Sequence, residues 1–202
     1  MHANSTPFEL DDTDKDLLHR AACRLIHGAV GGIPGDRIDV DLGILADLQV
    51  VGVFVTLRKA GQLRGCIGNF TASIRLAEAL QRAAVGAATA DPRFPPVTVA
   101  ELPALRVELS VLHSRELLGP SPDVRRSGIE IGRHGLDLQL GGRKGLLLPQ
   151  VAVEWHWDTS QFLAAVCRKA GLPSDAWQDP AADLYRFEAT WFGGPCGGEA
   201  PH

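Results

Sequence analysis

A chain of 202 residues, 45% hydrophobic and 22% charged, has the make-up of a soluble globular protein and the length of one ordinary domain. Its 20 Lys+Arg against 24 Asp+Glu leave a net charge of −4, which argues against sequence-independent nucleic-acid binding. No apolar run approaches the roughly 20 residues of a membrane span, and the opening "MHANSTPFELDDTDKD" lacks the basic and apolar regions of a secretory signal, so a cytoplasmic location is expected.

Residues 1–12 read as a flexible start. A helix is expected from Asp14 to Val30, with Leu17, Leu18, Ala21, Ala22, Leu25, Ile26 and Ala29 as its apolar stripe. Thr13 with Asp16 resembles a capping box, and Gly31, Gly32 and Pro34 end the helix. A short helix follows near Leu42 to Asp47. Next, "VVGVFVTLRKAGQLRGCIG" reads as a β-hairpin: Val51 to Arg58 out, Ala60-Gly61 at the turn, Leu63 to Gly68 back. An alanine-rich helix from Ser73 to Thr89 can lie close against a sheet, and Asp91 to Pro96, "DPRFPP", stops it.

"LRVELSVLHS" alternates as a half-buried strand, with Glu108 on its polar face. "GLDLQLGGRKGLLLP" is a second hairpin turning at Gly141-Gly142, and a helix runs from Thr159 to Ala170. "LYRFEATWF" is the last strand, and the glycine-rich residues 193–202 should fray. Hairpins mixed with helices, without regular βαβ alternation, indicate an α+β fold around a mainly antiparallel sheet, one domain over residues 13–192.

The hexapeptide "LRGCIG" raises the functional question. Strand alternation would put Leu63, Gly65 and Ile67 on one face, and Arg64, Cys66 and Gly68 on the other. Glycines at 65 and 68 would let a backbone or a ligand approach Cys66. Arg64 beside the thiol, and a helix N-terminus near Ser73 aimed back at it, would favour thiolate. Set against this, free cysteine commonly behaves as a small buried hydrophobe. Cys23 and Cys167 read as packing residues on amphipathic helices, and Cys196 as inert in a tail.

His134, flanked by glycines in "GRHGL", could be approached in a loop, although a surface residue is the simpler reading. Asp91 and Arg93 read as a cap and a local ion pair ahead of an acid and a clamp. His156, between Trp155 and Trp157, reads as aromatic packing. Arg125, Arg126, Arg133, Arg143 and Lys144 form at most a solvated basic patch. No serine-hydrolase, P-loop, dinucleotide-binding or zincin signature occurs, and the cysteines lack zinc spacing, so neither metal nor cofactor is implied.

"FVTLRKAGQLRGCIG", "DPRFPPVTVAELPALRVELSVL", "HGLDLQLGGRKGLLLPQVAVE", "FLAAVCRKAGLP" and "LYRFEATWF" resemble, in that order, the AMMECR domain family, whose prokaryotic members are called AmmeMemoRadiSam system protein A. The resemblance covers Asp14 to Phe192 and matches the family motif at Leu63, Arg64, Gly65, Cys66, Ile67 and Gly68. It implies a two-lobed α+β domain, larger lobe and smaller lobe, and separate partners: a Memo-like protein and a radical SAM protein. It gives His156 no role. Two functions follow. One is an interaction module. The other is an enzyme or enzyme component with Cys66 as nucleophile or redox thiol, Arg64 as activator or anion clamp, and His134 or Glu108 as proton carrier. Nucleic-acid binding ranks last.

Overall fold

The computed structural model describes residues 8–32 and 42–196, which group into two compact units. Residues up to Val111 and from Thr190 onward form the first, and Leu112–Ala189 the second. Each combines antiparallel strand pairs with packed helices, the α+β architecture expected from the sequence.

The first unit opens with α1 (Asp12–Gly31). Its capping box is Asp11 with Asp14 and not Thr13 with Asp16: Asp11 Oδ1 accepts the Asp14 N–H at 2.8 Å, and Asp14 Oδ2 accepts the Asp11 N–H at 3.2 Å. Leu10, buried just before the cap, fixes where the chain enters, so order begins inside the stretch expected to be flexible. Residues 1–7 lie outside the described residues, as does Pro34. Gly32 closes the helix at φ 72°. A 3₁₀ turn, Gly43–Asp47, stands where a short helix was expected.

Strands β1 (Gln49–Val50) and β4 (Ile74–Arg75) pair with each other, while β2 (Gly52–Lys59) and β3 (Gln62–Gly68) form the hairpin. Its turn residues Ala60 and Gly61 both take positive φ, the twist a two-residue hairpin requires. Helix α2 (Leu76–Thr89) starts three residues later than expected, because Ile74 and Arg75 are taken by β4. Ala77, Ala79, Ala83, Ala84, Ala87 and Ala88 are all buried, which lets α2 lie close on β2 and β3. Strand β5 (Leu105–Leu117) and the later β8 (Asp183–Pro195) complete this unit's sheet, in the order β3-β2-β5-β8. Val53, Val55, Leu57, Val107, Leu109 and Val111 meet Leu18, Ile26 and Leu80 in its core.

The expected fraying of residues 193–202 does not hold at its start. Strand β8 continues through Pro195, and buried Cys196 donates its N–H to the Leu105 carbonyl at 2.8 Å. Gly193 permits this close approach, since a Cβ there would lie 2.6 Å from the Val107 oxygen. Residues 197–202 lie outside the described residues.

The second unit holds α3 (Pro122–Ser127), β6 (His134–Leu140), β7 (Arg143–Leu147), α4 (Pro149–Glu154) and α5 (Thr159–Lys169). Its sheet runs β5-β8-β6-β7 around a core of Leu136, Leu138, Phe162, Val166, Trp177 and Leu184. Gly141 and Gly142 make the expected turn, both at positive φ. Arg125 belongs to no surface patch. It is 1% exposed, and its guanidinium donates to the carbonyls of Gly119, Trp177, Asp179 and Ala182. Exposed His156 makes a left-handed turn at φ 52° between Trp155 and Trp157, which stack on each other. Among the described residues, no helix is long and apolar enough to cross a membrane.

Candidate functional site

The hexapeptide forms β3, at the edge of the first unit's sheet. Pairing runs Phe54↔Gly68, Val55↔Ile67, Thr56↔Cys66 and Leu57↔Gly65, then slips so that Arg58 faces Leu63. Arg64 is therefore the extra residue of a bulge, with no partner across the strand. The bulge breaks strict alternation. Gly65 and Ile67 share the buried face of Leu57 and Val55, whereas Leu63 pairs with Arg58 on the other and is 38% exposed. The expected grouping of Leu63 with Gly65 fails for that reason.

Both glycines are occupied by the protein itself. A Cβ on Gly65 would sit 2.3 Å from the Ala87 carbonyl oxygen of α2, and one on Gly68 would sit 2.1 Å from the Phe54 ring. Ile67 packs on Gly86. The C-terminal half of α2 thus lies against the motif, so its dipole presents partial negative charge there, opposite to the expected effect of an N-terminus.

Arg64 is spent on a carboxylate. Its Nε and Nη2 donate to Glu101 Oε1 and Oε2, both at 3.0 Å, and its remaining donors reach the Pro95 and Pro96 carbonyls at 2.9 and 3.2 Å. Glu101 also accepts from Lys59 and from the Thr98 N–H. The Arg64 hydrogen bonds foremost hold its carboxyl well below the usual carboxylate range.

A second carboxylate–guanidinium pair latches the strand edge. Asp91 Oδ2 accepts the Cys66 N–H at 2.8 Å, and Arg93 Nη2 donates to the Cys66 carbonyl at 3.2 Å. Arg93 Nε and Nη2 also donate to Asp91 at 2.9 and 2.7 Å. Asp91 and Arg93 together take the place a neighbouring strand would fill, satisfying both backbone groups that an edge leaves open. Asp91 is 5% exposed, and Arg93 foremost depresses its pKa, so it stays an anion and holds no proton to donate. The local ion pair was legible in "DPRFPP"; its grip on Cys66 was not.

Cys66 is half-buried, and its sulfur accepts a hydrogen bond from the Thr56 hydroxyl at 3.3 Å. Glu108 has both oxygens engaged by Arg58 Nε, at 3.1 and 3.0 Å, and makes no hydrogen bond to Cys66. His134 belongs to the second unit and is the first residue of β6, 6% exposed, contrary to the expected accessible loop. The glycines beside it do other work: Gly132 turns at φ 86°, and Gly135 lies under the Phe187 ring. His134 Nδ1 accepts the Glu130 N–H at 2.9 Å, and burial, with Arg186 and Arg133, pushes its pKa down. It lines a polar cleft of about 270 Å³ with Ser114, Glu116, Arg133 and Arg186.

Of the candidates, the structure therefore brings together Cys66, Asp91 and Arg93. Arg64 joins the same strand through Glu101, and His134 belongs to the second unit. Thr56 and Glu101 were missed. The Thr98–Glu101 capping-box spacing was readable, but counting back from the Ala60-Gly61 turn puts Val55 opposite Cys66, and only the bulge brings Thr56 there.

The AMMECR1 family model matches residues 18–192. The protein TK0174 of Thermococcus kodakarensis is 50% identical over 149 residues, 71% of this chain and 73% of its own. The protein PH0010 of Pyrococcus horikoshii is 48% identical over 191 residues, 92% of both. The crystal structure of PH0010, described as uncharacterized, superposes with a TM-score of 0.83 at 41% identity, covering 95% of this chain and 97% of that one. On the match over residues 18–192, the chain belongs to the AMMECR1 family.

Proposed function

We propose that this domain is a non-catalytic interaction module that presents the edge strand β3, with Cys66 at its centre, to a Memo-like protein and a radical SAM protein. One observation carries the reading: both cations next to the thiol are charge-paired with carboxylates that hold the strand in place, Arg64 with Glu101 and Arg93 with Asp91. Nucleophilic use of Cys66 calls for a base or a free cation at the sulfur. The sulfur accepts from the Thr56 hydroxyl and lies within reach of the Arg93 guanidinium, whose charge Asp91 already neutralises, and Glu108 is occupied by Arg58. A rigid, satisfied edge suits recognition, because presenting it costs little ordering entropy.

Co-purification at native levels tests this. The two partners should follow the wild-type domain and the Cys66→Ser variant, and should be lost with Asp91→Asn, which loosens the strand. Failure to recover either partner with wild type would overturn the reading. The enzyme reading, with Arg64 activating Cys66, draws support from the incomplete burial of the thiol. It predicts iodoacetamide alkylation of Cys66 much faster than that of free glutathione, and loss of that rate in Arg64→Ala.

A further inference from the structure

Two other cysteines, from opposite ends of the chain, meet inside the first unit. Helix α1 lies on the end of β8: His19 Nε2 donates to the Gly194 carbonyl at 3.2 Å, and one helical turn along Cys23 lies 3.9 Å from the same ring nitrogen. Two residues past Gly194, Cys196 is fixed to the sheet by its N–H on the Leu105 carbonyl. The Cys23 and Cys196 side chains face each other there, close enough for their thiols to interact. Both residues are buried, at 9% and 4% exposure, and both are free thiols. Neither takes part in the β3 site, and the tail reading of Cys196 gave no hint of the pairing.

We propose that Cys23 and Cys196 form an oxidisable dithiol, a modification site that takes a hydroperoxide and closes as a disulfide between α1 and the end of β8. Cys196 is the attacking thiolate, because it sits just past the end of β8, where opening of its pairing with Leu105 admits the peroxide, and the Cys23 thiol beside it favours its anion. The Cys196 thiolate attacks one peroxide oxygen, the O–O bond breaks, and the product is the Cys196 sulfenic acid plus hydroxide, which takes up the proton that Cys196 released to become water. The Cys23 sulfur then attacks the sulfenic sulfur; the S–O bond breaks, and the hydroxyl leaves with the Cys23 proton as a second water. Two thiols are oxidised by two electrons and one hydroperoxide O–O bond is reduced. Cys196 directly follows Pro195, the last residue of β8, so admitting a molecule as small as hydrogen peroxide needs local opening of its pairing with Leu105. The disulfide ties the first helix of the unit to its last strand and restricts the unfolded chain over almost its whole length.

The experiment treats the full-length protein with hydrogen peroxide, blocks remaining thiols under denaturing conditions and maps the peptides. The expected product is a monomer lighter by two hydrogens, with a Cys23–Cys196 linked peptide and a Tm raised by roughly 5 °C, reversed by dithiothreitol. Cys66→Ser should form it equally well. Cys23→Ser should leave Cys196 as a sulfenic acid that dimedone captures. Wild-type protein in which peroxide oxidises Cys66 while Cys23 and Cys196 both remain alkylatable overturns the proposal, as does a Cys196 disulfide found only between two chains. The wild-type arm decides even if a variant does not fold.

Discussion

Two hairpins, β2–β3 in the first unit and β6–β7 in the second, each send a return strand to the edge of their sheet and place a glycine of that strand under a helix. A Cβ on Gly65 would lie 2.3 Å from the Ala87 oxygen of α2; one on Gly145 would lie 2.4 Å from the Val166 oxygen of α5. The first glycine stands in the hexapeptide "LRGCIG" and the second in the ordinary stretch "GGRKGLLLP", yet both do the same packing work. A motif glycine is therefore no sign of a ligand path. What sets β3 apart is everything around the glycine: the bulge at Arg64, the pairing of Arg64 with Glu101, and the Asp91–Arg93 latch on both backbone groups of Cys66.

Substituting the two glycines tests the shared part and should have the largest effect. Gly65→Ala and Gly145→Ala should each cost about 3 kcal/mol in urea unfolding, because backbone must move in both cases. Gly68→Ala should cost less, since only the Phe54 ring has to swing away. A stable Gly65→Ala protein would break the comparison.

The latch comes next. Asp91→Asn should speed hydrogen exchange at the Cys66 amide by about tenfold or more, as a charge-assisted acceptor becomes a neutral one, and should leave Gly145 amide exchange untouched. Equal protection at Cys66 in both proteins would remove the latch from the account.

Acid should separate the units. In the first, the folded pKa values of Asp91 and Glu101 are depressed, so their contribution is full above about pH 5 and is lost progressively as pH falls below it. In the second, His113 and His134 are depressed chiefly by burial, so the unfolded chain binds protons more readily and stability declines already below about pH 6.5. Hydrogen exchange across a pH series should therefore show Leu112–Ala189 loosening first. The reverse order would contradict the ion-pair assignments. The smallest effect is expected for Cys66→Ser, within about 1 kcal/mol of wild type by urea unfolding, because the hydroxyl that replaces the thiol can still accept from Thr56.

The three long helices, both two-residue turns, the alternation of β5 from Leu105 to Leu109 and the family were legible in the sequence, because capping, turn chemistry and hydrophobic period act between residues a few positions apart; the short helices α3 and α4 were not. The sequence also pointed to Cys66 as the centre of the distinctive strand. Long-range packing alone set the rest: Arg64 sits in a bulge and spends its charge on Glu101, Asp91 grips Cys66, α2 lays its C-terminal half on the hexapeptide, His134 is buried at the start of a strand, and Cys196 meets Cys23. Each of these depends on groups brought together from distant stretches of chain, or on a one-residue register slip that reverses which face a side chain takes. Neither leaves a periodic trace in the local sequence.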